Sequence, residues 1–175
     1  MQPLRIGFRI VRNRIIDESE CRYEKNPYRR FFDRSRYVFL STCDEEKIRA
    51  LEEDLSGDIL PLPFFDMGKA LEEYMQDNHL SRQTIFAYAR KASPRNVSVQ
   101  QDDAEGFSVA FNIFIDHHVI RGQTPMVDDW SRHLKSFADP LAKQWCHENR
   151  IRTYAADDEV MAKKYHGRET DELLD

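Results

Sequence analysis

From residue 4 to residue 12 apolar and basic side chains alternate. Leu4, Ile6, Phe8 and Ile10 fall on one face and arginines on the other, the period-two pattern of a half-buried strand. Residues 17–35 are polar and basic around Asn26-Pro27 and read as a long loop, a kind of segment that is often functional or mobile in compact domains. Tyr37 to Leu40 resumes as a strand. Thr42-x-x-Glu45 has capping-box spacing and opens a helix over 43–55, with Ile48, Leu51 and Leu55 as its stripe and Ser56-Gly57 as its stop. Ile59 to Phe65 is a short extended piece, restricted by Pro61 and Pro63 to an edge position.

Asp66 is a good N-cap for a helix to about Gln76, with Met67, Leu71, Tyr74 and Met75 inward. Ser81 caps another from Arg82 to about Ala92, stopped by Ser93-Pro94. Two strands are expected next, near Asn96–Gln100 and Gly106–Asp116, joined by a turn at 102–106. In the second, Phe107, Val109, Phe111, Ile113 and Ile115 alternate without a lapse. Val127, Trp130, Leu134, Phe137, Leu141 and Trp145 recur at spacings of three and four, which predicts a long amphipathic helix behind the sheet. Asp139-Pro140 in its middle looks like a second cap followed by proline at the first helical position, so a kink or two abutting helices are expected there. The tail forms a short helix from about Asp157 through Tyr165, with Gly167 as its stop. The pattern as a whole predicts one α+β domain over residues 1–167, a mostly antiparallel sheet covered on one face by helices, and a frayed acidic tail over 168–175.

Composition narrows the class. A chain of 175 residues, 41% hydrophobic and 33% charged, buries ~70% of its unfolded surface and needs no staple. The longest apolar run, Ile59 to Phe65, is far short of the ~20 residues that cross a bilayer. No secretory signal is expected at the amino terminus. Three cysteines without a CxxC pair (Cys21, Cys43, Cys146) fit a reducing cytoplasm. The six glycines never cluster, which disfavours nucleotide folds of the P-loop and Rossmann kinds, and zinc-finger spacing is absent.

Charge is uneven. Residues 1–36 hold ten Lys/Arg against five Asp/Glu, a balance of +5, so the rest of the chain carries −10 to reach the net −5. Tyr23, Tyr28, Phe31, Phe32 and Tyr37 sit among these cations, the mixture a nucleic-acid groove uses. Arg29, Arg30 and Arg34 are the candidate phosphate contacts. The competing reading is self-pairing, in which the acidic body meets the basic first third inside the molecule.

Three further segments could carry chemistry. Leu80-Ser81-x-x-Thr84-Ile85-x-x-Tyr88 resembles the DNA-clamping domain of tyrosine recombinases over about twenty residues, and 66–92 resembles a helix-turn-helix, with Arg82 and Gln83 as candidate nucleic-acid contacts. Met75 stands where such motifs have a small residue, and His79 stands at the turn glycine. Asp116-His117-His118 is similar to the motif of the Asp-His-His phosphoesterases. That resemblance implies a strand delivering carboxylate and imidazole to a manganese pair, with Asp116, His117 and His118 as catalytic candidates and Asp116, His118, Asp129 and His133 as metal candidates. The upstream Asp-x-Asp signature of that family is missing. Cys43 lies where a strand meets a capped helix, a position that can favour a thiolate, although a buried small hydrophobe has the same signature.

These readings lead to a non-catalytic cytoplasmic binding or adaptor protein, immunity-like or regulatory, acting through a protein surface and using no cofactor. A metal-dependent phosphoesterase-like enzyme and a DNA-binding protein using 66–92 are the alternatives, with nucleic acid at the basic segment 1–36 and no membrane contact.

Overall fold

The structure is a computed structural model and describes residues 3–95, 103–120, 122–155, 157–165 and 171–174. In chain order its elements are β1 (Ile6–Gly7), α1 (Phe8–Tyr23), β2 (Arg29–Asp33), β3 (Val38–Thr42), α2 (Glu45–Glu52), β4 (Ile59–Pro61), α3 (Met67–Asp77) and α4 (Arg82–Ala92). They continue with α5 (Ala104–Asp116), β5 (Val119–Ile120), β6 (Thr124–Pro125), α6 (Met126–Glu148), β7 (Thr153–Tyr154), α7 (Glu159–Tyr165) and β8 (Glu172–Leu173). The class is α+β. The chain divides into two compact units, one of residues 1–21, 26–65 and 138–175 and the other of residues 22–25 and 66–137.

The first unit is built on a four-stranded mixed sheet of order β4-β2-β3-β8. β2 pairs antiparallel with both β3 and β4, whereas β8 runs parallel to β3. Phe31, Phe32, Phe39 and Leu40 are buried. Trp145, from the second half of α6, packs edge-on against Phe32 at 5.8 Å between ring centroids. A parallel pair, β1 with β7, completes the unit. There Gly7 makes a close approach: a Cβ would lie 3.3 Å from Tyr154 Cζ and from Ile10 Cδ1, so those side chains would have to give by a few tenths of an ångström.

Two expectations are corrected here. The strand expected over 4–12 is two residues long, and Phe8 already opens α1. Its buried positions Val11, Ile15, Glu18 and Ser19 follow helical spacing, and that stripe outlasts the few alternating residues before it. The long basic loop expected over 17–35 is the end of α1, a short turn with Lys25 at φ 56°, and strand β2. In α2 the N-cap is Asp44, whose carboxylate accepts from the Glu46 and Lys47 amides, while Thr42 Oγ1 accepts from Asp44 N–H.

The second unit is helical with one small hairpin, β5 with β6. The helices capped by Asp66 and Ser81 stand where the sequence puts them, α3 and α4. The strand expected over 106–116 is instead α5. Its alternating residues also fit a helical stripe, and the buried set is Phe107, Ala110, Phe111, Phe114 and Ile115, with Val109 and Ile113 only half-buried. Asp103 caps it by accepting from Glu105 N–H. A stretch with apolar residues at nearly every position satisfies both periods, so thirteen residues behind a cap decide for a helix. The strand expected at 96–100 lies outside the described residues. Phe111 meets Trp130 at 4.8 Å and Tyr74 at 6.1 Å between centroids, which forms the unit's aromatic core.

Of the kink or two abutting helices expected at Asp139-Pro140, the second is corrected. α6 runs without interruption from Met126 to Glu148 with Pro140 inside it. Proline removes only the one N–H that would reach the Ser136 carbonyl. Within the expected frayed tail, Glu172–Leu173 is paired with β3.

Candidate binding surface

The basic face of the first unit is met by the chain's own acids. Arg14 projects from α1, Arg30 from β2, Arg36 from beyond the β2 end, and Lys47 from the first turn of α2. The Asp171 carboxylate sits between two of them. Its Oδ1 accepts from Arg14 Nε at 2.5 Å and its Oδ2 from Arg30 Nε at 3.1 Å. Glu172 accepts from Arg36 Nη1 at 2.8 Å, and Lys47 Nζ donates to the Leu174 carbonyl. The backbone joins in: Glu172 lies opposite Leu40 and Leu173 opposite Ser41, and Leu174 N–H donates to the Ser41 carbonyl at 3.0 Å. An extended acidic segment thus forms the edge of the sheet and brings its carboxylates to arginines.

The electrostatics around Arg30 extend inward. Glu18, buried at 1% exposure, accepts from Arg30 N–H and lies 4.0 Å from its guanidinium. Burial works against the Arg30 charge, but the Cys21 contact and the carboxylates of Asp17 and Asp171 outweigh it and hold the guanidinium above its ordinary pKa. Burial also pushes the Asp17 carboxyl up, against the pull of Arg30 and Arg14, and Asp171 adds to the rise. Burial would raise Asp33 too, yet hydrogen bonds from Ser35 and Arg36 hold it below the usual carboxylate range.

The remaining predicted phosphate contacts bond to backbone carbonyls nearby. Arg29 donates to the carbonyls of Asn26 and Tyr28, and Arg34 to those of Asn149 and Gly57 while lying 3.7 Å from Asp58. In the second unit, the Arg82 guanidinium covers the Phe107 ring at 4.1 Å, and Gln83 is exposed. Ile85 and Ala89 are buried, with α4 packed along α5 where a sheet was expected. Tyr88 is half-buried among Phe114, His117 and His118.

Asp116-His117-His118 ends a helix and not a strand. His117 is the C-cap of α5 and places Nδ1 2.8 Å from the Ile113 carbonyl, while His118 places Nδ1 2.6 Å from that of Phe114. A carbonyl only accepts, so Nδ1 is the donor in both bonds. The His118 ring stacks on Phe114 at 3.9 Å. Both imidazoles thereby cap carbonyls of the last helical turn.

Asp129 and His133 do share a face of α6. With Tyr74, Asp77, Asn78, Arg132 and Ser136 they line a cleft of about 310 Å³. His133 Nε2 donates to the Ala70 carbonyl at 2.9 Å, and its ring stacks on Trp130. Burial pushes the Tyr74 hydroxyl pKa up, and a hydrogen bond to Asp129 pushes it further. Asp116 and His118 do not join this pair in a ligand set: among the described residues no three His, Cys, Asp or Glu side chains come together so as to hold a metal.

Cys43 is half-buried beside the Asp44 cap. Burial pushes the Cys146 thiol pKa up to about 12. No helix among the described residues is long and apolar enough to cross a membrane. Comparison with known proteins finds no matching family model, no matching curated protein and no matching solved structure.

Sequence reasoning singled out Arg30 and set Arg36 beside it in the basic segment, but it missed Arg14 and Lys47 as neighbours, and it missed Asp171 and Glu172 altogether. The signal was the charge split between the first 36 residues and the rest, which anticipates self-pairing without saying which acids pair.

Proposed function

We propose that the chain is a non-catalytic binding protein whose ligand is an acidic, extended segment of another protein, taken up along β3. The observation that carries this reading is the Asp171 carboxylate bridging Arg14 and Arg30 while its own segment pairs with β3. Addition of a strand to a sheet edge supplies affinity through main-chain hydrogen bonds and selectivity through side chains. Here both parts are visible in cis: Ser41 supplies a backbone acceptor, and Arg14, Arg30, Arg36 and Lys47 supply cations.

Backbone pairing favours a polypeptide over a nucleic acid, because a phosphate chain can satisfy the arginines but not the Ser41 carbonyl. The exposed ion pairs alone are worth about 1 kcal/mol or less each. Selectivity therefore comes from cations and backbone acting together. The test is a titration of the full-length protein with a fluorescent peptide of residues 169–175, followed by anisotropy. Saturable binding is expected, weakening as salt rises and lost when lysines replace the residues equivalent to Asp171 and Glu172. Equal binding of the acidic and the lysine-substituted peptides would remove the reading.

A further inference from the structure

Resting on that reading, we infer that the segment Asp171–Leu174 is a built-in competitor: it occupies the β3 edge in cis and is displaced when an acidic partner segment binds. Three observations lead here. First, the occupant is small. β8 is two residues long, Leu173 is 64% exposed and Leu174 is only half-buried, so no fully buried apolar side chain anchors this piece of chain. Second, its bonds are of kinds a partner can reproduce. They are the backbone ladder to β3, with the Leu174 amide on the Ser41 carbonyl, one carbonyl to Lys47, and two carboxylates to arginines. Third, the three arginines are also held by the rest of the unit. Arg36 bonds Asp33 at 2.7 Å, Arg14 lies 3.6 Å from Asp17, and Arg30 lies 4.0 Å from Glu18. The receiving surface is therefore prearranged by contacts that do not involve the tail.

A segment tethered to its own site competes at an effective concentration set by the chain that ties it there. The apparent affinity for a ligand falls by the fraction of molecules whose site is open. A tail that fills the site in nine molecules of ten weakens a partner about tenfold, and loosening it restores that factor. Regulation then follows from chemistry at Asp171 and Glu172. Any change that removes their charge opens the edge.

The experiment compares the full-length parent with two full-length variants, Asp171→Asn/Glu172→Gln and Leu174→Pro. The first removes the tail's charges and the second removes the N–H that reaches Ser41. The ligand is the peptide of residues 169–175, with circular dichroism to verify folding. Both variants are expected to keep the parent's spectrum and to bind the peptide about tenfold more tightly or better. Equal affinity in parent and variants would overturn the competitor while leaving the binding site. Absence of binding to every form would overturn both. Self-association of the variants through exchanged tails, or preference for duplex DNA over the peptide, would overturn the assignment of an acidic partner segment.

Discussion

The arginines that meet Asp171 and the histidines that close α5 are both polar groups held by hydrogen bonds, but they are satisfied from different distances. His117 and His118 reach carbonyls four residues upstream in their own helix. Arg14 and Arg30 meet a carboxylate that lies 157 and 141 residues away along the chain. A contact made within one helical turn is renewed whenever the helix forms, and nothing outside it can take its place. A contact supplied by a distant, two-residue strand is a bimolecular recognition event made intramolecular by the chain. The first kind of polar group caps a fold; the second is the kind that, under the proposed function, a partner segment can take over.

The comparison breaks most severely at the cores that hold the two regions in place. Phe111→Ala in the helical unit and Phe32→Ala in the sheet each empty a fully packed aromatic site, and each is expected to cost about 3–5 kcal/mol of unfolding free energy in denaturant titration. A loss under about 1 kcal/mol for either would show that the corresponding core is placed wrongly.

The next test separates the local from the distant half of one arginine. Arg36 bonds Asp33 through Nε and Glu172 through Nη1. Asp33→Asn is expected to cost about 2 kcal/mol at pH 7, since the buried carboxylate holds two side-chain partners and two amides. The Asp33 pKa lies below its unfolded value, so its stabilisation is present above pH ~4 and is lost as pH falls through the folded value. Asp17 has the opposite sign. Its folded pKa is raised, so its protonation in acid relieves a cost and offsets part of that loss. Urea melts between pH 7 and pH 3 should therefore show the gap between parent and Asp33→Asn closing in acid. A gap that stays constant would place the effect elsewhere.

Smaller still is His118→Ala. It removes a ring stacked on Phe114 and a capping bond, and about 1 kcal/mol is expected. His118→Phe should recover the stacking part alone. No difference between the two substitutions would mean that the ring contributes only through its hydrogen bond.

Local signals in the sequence held where a cap stood before a clear helical stripe and failed where one stretch fitted two periods. Asp66 and Ser81 caps placed α3 and α4 to within a residue, because a side-chain acceptor before an apolar stripe has few other uses. Alternation at Phe107–Ile115 misled, because the intervening Ala110 and Phe114 made the same residues a helical stripe. The arginines at 29–34 were legible as a cluster. Their partners were not, because Asp171 comes to them only through parallel pairing of β8 with β3, a long-range event that no local pattern encodes. The cleft at Asp129 and His133 was legible as an i, i+4 pair, whereas Asp116 and His118 belong to a helix end that the strand assignment concealed.

Native-state hydrogen exchange of the full-length protein, with and without excess peptide of residues 169–175, tests the central claim most directly. The Leu174 amide reports the tail through its bond to Ser41, and the Phe31 and Phe32 amides report the sheet, their strand lying between two neighbours. The account predicts that Leu174 exchanges through a local opening while Phe31 and Phe32 stay protected, and that peptide speeds Leu174 exchange without touching the other two. Exchange of Leu174 only together with Phe31 and Phe32, unchanged by peptide, would make β8 a fixed part of the sheet and contradict the account.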